Sequence, residues 1–145
     1  MKSLLLVTHL LFVGIWLGCV LTEALFERAL LGRGRAQELI LVALHKRVDL
    51  IIEIPAFLIV LVTGGMLLSS TSAGSLLQTK IAFALLAIAA NGYCVWLVFR
   101  RARAAEAGDW DTFAALDQLQ HKLGAVVLLG ILTALGIGIY LFTGS

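Results

Sequence analysis

Four stretches of the chain carry no charged residue, at positions 3–22, 54–79, 81–99 and 123–145, and polar segments or single cations separate them. Each is near or above the roughly 20 apolar residues that a helix needs to cross about 30 Å of hydrocarbon. A backbone surrounded by lipid has to satisfy its own hydrogen bonds, so runs of this length become helices. The pattern predicts an all-α integral membrane four-helix bundle, a single domain over 1–145, with helices at about 3–29, 37–69, 76–104 and 110–142. Segments 35–46 and 110–122 carry apolar residues at three and four spacing among polar ones, which starts helices two and four below the membrane surface. The segment 69–75, Ser-Ser-Thr-Ser-Ala-Gly-Ser, reads as a short polar turn.

Composition narrows the class further. With 61% hydrophobic and 14% charged residues and a mean hydropathy of +1.02, the chain lies far from a soluble domain. The N-terminal run is too long for a signal core, and Trp16 stands three before Cys19 where a lipoprotein signal wants a small aliphatic, so this run is expected to stay as a helix. Arg28, Arg33, Arg35, Lys46 and Arg47 flank one side of the first two helices, and Arg100, Arg101, Arg103 and Lys122 lie on the same side. Only Lys2 and Lys80 lie on the other, which puts both termini on the non-cytoplasmic side of a bacterial-type inner (plasma) membrane crossed several times. The net charge of +2 says little about partners, and nothing in the sequence points to nucleic acid; the lipid bilayer is the expected partner, with homo-oligomerisation open.

The candidate chemistry lies on the helix faces. On the first helix His9, Phe12, Val13, Trp16, Val20 and Glu23 fall near one stripe, and on the second His45, Asp49, Ile52, Glu53 and Ala56 do the same. Pro55 follows and cannot donate to the carbonyl of Ile51, which favours a kink. An acid such as Glu53 inside a membrane is costly and marks a functional position by default; the bland alternative is snorkelling of Asp49 and Glu53 toward Lys46, Arg47 or Arg100. Asn91 reads as an interhelical hydrogen bonder, and Cys19 and Cys94 read as inert buried thiols.

Depth separates the three histidines. At 1.5 Å per residue, His9 lies roughly 27 Å above Glu27, whereas His45 and His121 both sit at the cytoplasmic end. An outer site would hold His9 with Trp16 and Lys80, and an inner one would pair His45 with His121. Imidazoles from facing helices of a bundle are a common clamp for haem iron, and Lys80 outside or Lys46, Arg47, Lys122 and Arg100 inside would meet propionates. The alternative is structural: interfacial histidines, a hydrogen-bonded His9 and a snorkelling Lys80.

His9 followed by Trp16-Leu17-Gly18, Pro55 with Thr63-Gly64-Gly65, and Thr79-Lys80 at the start of helix three resemble the small four-helix membrane proteins grouped with HemJ and the CopD domain. The resemblance implies a membrane b-type haem protein with redox work, and with the histidine placement the expectation is a bundle that binds one or two b-type haems and moves electrons, with quinone or a porphyrin as candidate partners. Most concretely it implies oxidation of protoporphyrinogen IX, a porphyrin substrate, with functional roles for His9 and Lys80. The expected site residues are therefore Lys80 and Glu53 as catalytic groups, His9, His45 and His121 as metal ligands, and Trp16, Lys46, Lys80 and Lys122 as further cofactor contacts. Two other classes stand beside this: CopD-like copper handling, for which Met1 and Met66 offer little, and a non-catalytic membrane assembly subunit.

Overall fold

The computed structural model describes residues 2–69 and 74–144; most of the expected 69–75 turn, at 70–73, lies outside the described residues. Among the described residues the only regular structure is helical, in four long rods: α1 (Lys2–Leu30), α2 (Arg35–Leu68), α3 (Ser75–Glu106) and α4 (Trp110–Thr143). All four are long and apolar enough to cross a membrane. Large apolar side chains such as Leu4, Val7, Ile51, Val62, Leu129 and Phe142 stand exposed on the outside of the rods, where lipid rather than water would meet them.

The rods are joined on one end by tight turns. After α3, Gly108 takes φ 73°, a left-handed conformation that costs glycine little. Its N–H donates to Ala105 O at 3.1 Å and that of Asp109 to Ala104 O at 2.9 Å, closing the last turn. Asp109 then caps α4 by accepting from Thr112 N at 3.1 Å. Between α1 and α2, Gly32 at φ 71° makes the equivalent reversal and donates its N–H to the buried Glu38 carboxylate at 3.3 Å.

Two apolar cores hold the bundle. The larger joins Trp16, Ala56, Phe57, Val60, Ala87, Ala90, Val127 and Ile131. There α3 and α4 pack closely, because a Cβ at Gly130 would stand 2.9 Å from Ala87 Cβ and 3.2 Å from the carbonyl of Phe83. The smaller core, Val42, Ala102, Ala104, Ala105 and Phe113, closes the loop end, where Trp110 meets Phe113 edge-on at 5.4 Å and Arg35 lies 4.1 Å over the indole. A polar layer separates the two cores.

Within α2 the run Asp49–Glu53 is a π-turn, with the N–H of Ile54 bonded to Asp49 O. Pro55, which has no N–H to give, frees the carbonyl of Ile51 inside that turn. The wider turn has a consequence for side-chain direction. In an α-helix each four-residue step overshoots by about 40°, so His45 and Glu53 would diverge by about 80°. A π-turn takes more than four residues and offsets this drift, keeping His45, Asp49 and Glu53 on one buried face.

Candidate functional site

The polar layer is built from i, i+4 pairs on three helices and one cation from the fourth. Glu23 and Glu27 come from α1, His45, Asp49 and Glu53 from α2, Arg101 from α3, and Asp117 and His121 from α4. Arg101 is at the centre and is 0% exposed. Its Nη1 lies 2.7 Å from Glu27 Oε1 and also bonds Asp117 Oδ1, while Nη2 donates to His45 Nδ1 at 2.6 Å. With Nδ1 accepting from a guanidinium, the proton of the His45 ring belongs on Nε2, which faces Glu23 Oε2 at 3.5 Å.

A cavity of about 500 Å³ opens beside this network, between α1, α2, α3 and α4. Its polar lining comes from Glu23, Glu27, Arg28, His45, Asp49, Glu53, Asn91, Gln120 and His121, with Cys94 and aliphatic side chains completing the wall. Several polar atoms here have no hydrogen-bond partner: Glu23 Oε1, Asp49 Oδ2, Glu53 Oε1, Asn91 Nδ2 and Gln120 Oε1. Buried polar atoms of this kind are rare and call for a ligand, an ion or water. Five carboxylates, Glu23, Glu27, Asp49, Glu53 and Asp117, face one guanidinium and two imidazoles. Even with both imidazoles charged and the exposed Arg28 at the cavity wall counted with Arg101, the five acids outnumber the four bases.

Depth makes this imbalance costly. The uncharged part of α2, Ile54–Leu68, covers about 22 Å, short of the roughly 30 Å of hydrocarbon, so with α2 spanning a bilayer Glu53 would fall within the apolar thickness and Asp49 near its edge. The snorkelling alternative is not what the fold adopts: Asp49 and Glu53 are 1% and 3% exposed and lie near Glu23 rather than near Lys46, Arg47 or Arg100.

The three histidines separate as their depths predict. His9 belongs to another polar group, toward the far end of the bundle. Thr63 gives its hydroxyl proton to Ile59 O at 2.6 Å, so His9 Nδ1 donates to Thr63 Oγ1 at 2.9 Å. Gly64 makes room for the His9 ring and Gly138 for the Lys80 ammonium, whose charge acts on His9. His45 and His121 line the same cavity. However, both nitrogens of His45 are engaged, by Arg101, Glu27 and Glu23, whereas His121 donates Nδ1–H to Asp117 O at 2.9 Å and keeps Nε2. As the side chains stand, His45 offers no lone pair to an iron, and the acid-rich wall is a poor surface for anionic propionates.

The other expected contacts are spread out. Trp16 is buried against Phe57 at 6.1 Å and donates Nε1–H to Asn91 Oδ1 at 3.1 Å, so it orients a residue of the cavity wall without lining it. Lys46 lies 5.4 Å over the Phe99 ring and Lys122 is exposed; neither lines the cavity. Arg101, Glu27 and Asp117 were not among the residues singled out from sequence. Their signal was the spacing: Glu-x-x-x-Glu, His-x-x-x-Asp-x-x-x-Glu and Asp-x-x-x-His each put their ligand-type residues near one helix face, and Arg101 continues the three and four stripe of Ala87, Asn91, Cys94 and Val98. Comparisons of the chain with protein-family models, with curated proteins and with solved structures found no match.

Proposed function

We propose that this is a multi-pass membrane protein that takes up an inorganic cation at the buried acid cluster, as the binding step of a cation-transport role. The observation that carries the reading is the excess of buried carboxylates over bases around a cavity, with carboxylate oxygens left unpaired. Ionisable groups inside a membrane mark ion pathways because their desolvation is tolerated only where function needs it. The cationic loops between α1 and α2 and between α3 and α4 support an orientation with those loops in the cytoplasm and both termini outside, in a bacterial-type inner membrane. The cavity then lies toward the cytoplasmic half. Copper(I) is the less favoured cargo, since among the described residues Cys94 is the only sulfur on the cavity wall and Met66 is exposed elsewhere on α2.

Purified protein in liposomes carrying a pH-sensitive or metal-sensitive dye tests this. Cation-driven dye response should exceed that of protein-free vesicles and fall strongly in an Asp49→Asn, Glu53→Gln double variant. Equal responses in all three would refute it.

A second reading keeps the haem expectation. It draws on one observation, that the His45 and His121 rings share one cavity, and requires Arg101, Glu27 and Glu23 to release His45. In that reading His45 and His121 hold a b-type haem for electron transfer with quinone or oxidation of a porphyrin, and His9 with Lys80 forms the outer contact. A Soret band lost in His45→Ala and His121→Ala supports it, and colourless protein from haem-replete cells sinks it. Colourless protein without cation flux would leave a non-catalytic assembly subunit.

A further inference from the structure

Resting on the cation reading above, we infer that Glu23, Asp49 and Glu53 form the site itself, and that it takes a divalent metal ion of the manganese class. One carboxylate oxygen from each of the three lies within 4.8 Å of the others. Oxygens on a common divalent ion stand about 2.0–2.6 Å from it, so opposite ligands are separated by about 4–5 Å, and the three carboxylates need little movement to close on one ion.

A second group, Glu27, Asp117 and His121, satisfies the same distance, and the comparison between them assigns the ion. Arg101 already occupies the second group, 2.7 Å from Glu27 and bonded to Asp117. The first group has no guanidinium or ammonium; its nearest base is the His45 imidazole, 3.5 Å from Glu23. Arg101 therefore acts as a tethered cation that neutralises one half of the layer, while the other half remains for an ion from outside.

A neutral side chain beside the acids points to a ligand in the same place. Asn91 is 2% exposed, and its Nδ2 lines the cavity without a partner. The indole of Trp16 is a donor only, so the atom it meets is Asn91 Oδ1 and the amide orientation follows from the network. Nδ2 is thereby presented away from the indole and beside the Glu53 carboxylate, placed to bond a water or hydroxide held by the ion. The unpaired Asp49 Oδ2 and Glu53 Oε1 belong to side chains that are themselves 1% and 3% exposed.

Donor type gives the class of ion. Three carboxylates with positions left for water suit manganese or another hard divalent ion, whereas copper(I) and zinc thiolate sites want sulfur. The His45 imidazole beside Glu23 is the kind of outer partner that fixes a ligating carboxylate. Asp49 and Glu53 are one turn apart on the cavity face, and the π-turn of α2 keeps His45 in line with them.

The test is a Mn2+ titration of the full chain in lipid nanodiscs, read by the loss of the free-ion electron paramagnetic resonance signal. One saturable Mn2+ per chain is expected, weakened by about tenfold or more in Glu53→Gln and in Asp49→Asn. Asp111→Asn, an exposed acid on α4, serves as the unchanged control. No saturable binding by the folded wild-type protein would overturn the inference without recourse to any variant. So would a Glu27→Gln variant weakened more than Glu53→Gln, because it would move the ion to the Arg101 half. Proton-driven flux in liposomes without Mn2+ binding would refute the metal assignment alone; absence of both would refute the cation reading with it.

Discussion

Removing Arg101 would leave the buried Glu27 and Asp117 carboxylates without their cation. Arg101 is fully buried, bonds Asp117 and His45, and ion-pairs with Glu27; the two carboxylates have side chains only about a tenth exposed. In Arg101→Met the aliphatic stem is largely replaced, so lost packing is small and the loss is electrostatic. Removing one member of a buried ion set costs roughly 3–5 kcal/mol, because the remaining charges stay out of water without compensation. His45 Nδ1 also loses its donor, a further effect of about 1 kcal/mol that is relieved if the ring proton moves to Nδ1 and is given to Glu27 Oε1, 3.1 Å away. Reversible unfolding in mixed micelles, followed by tryptophan fluorescence, should show a loss of about 3–5 kcal/mol. The companion variant is Arg101→Met with Glu27→Leu and Asp117→Leu, in which no charge of the set is left behind. Apolar replacement of a whole buried ion set is often neutral or stabilising, so this triple variant should recover most of the loss. A single-variant loss below about 1 kcal/mol, or a triple variant no more stable than the single, would refute the electrostatic account.

Other outcomes follow from the packing and the caps. Gly130→Val should destabilise by about 1–3 kcal/mol and separate α3 from α4, since its Cβ would stand 2.9 Å from Ala87 Cβ; an unchanged melting temperature would contradict that contact. Trp16→Phe keeps the ring but leaves Asn91 Oδ1 buried without a donor, for a loss of about 1–3 kcal/mol that Asn91→Leu in the same chain should reduce. Asp109, at the exposed start of α4, has its carboxyl held below the ordinary range by hydrogen bonds from the Thr112 side chain and N–H. A lowered folded pKa means that its contribution is present above the unfolded value of about 4 and is lost as pH falls through the folded one. Asp109→Ala should therefore be less stable than wild type at neutral pH, with the gap closing in acid; a gap independent of pH would count against the cap.

The sequence by itself determined the class of molecule. Uncharged runs near 20 residues leave the backbone no option but helices that satisfy their own hydrogen bonds, so four rods and their approximate ends could be read without coordinates. It also separated His9 from His45 and His121, since rise per residue is fixed, and it marked Glu53 as an acid at membrane depth. Tertiary structure alone decided which charges meet. Arg101 stands among Arg100 and Arg103 in the sequence as one more loop-side cation, and only the packing of α3 against α4 turns it inward onto Asp117 and Glu27. Likewise, a uniform helix would let the His45, Asp49 and Glu53 stripe drift by about 80°, and the π-turn before Pro55 offsets that drift. The physical reason is range: hydrogen bonding and hydropathy act along the chain and are legible in it, whereas the partner of a buried charge comes from another helix, many residues away.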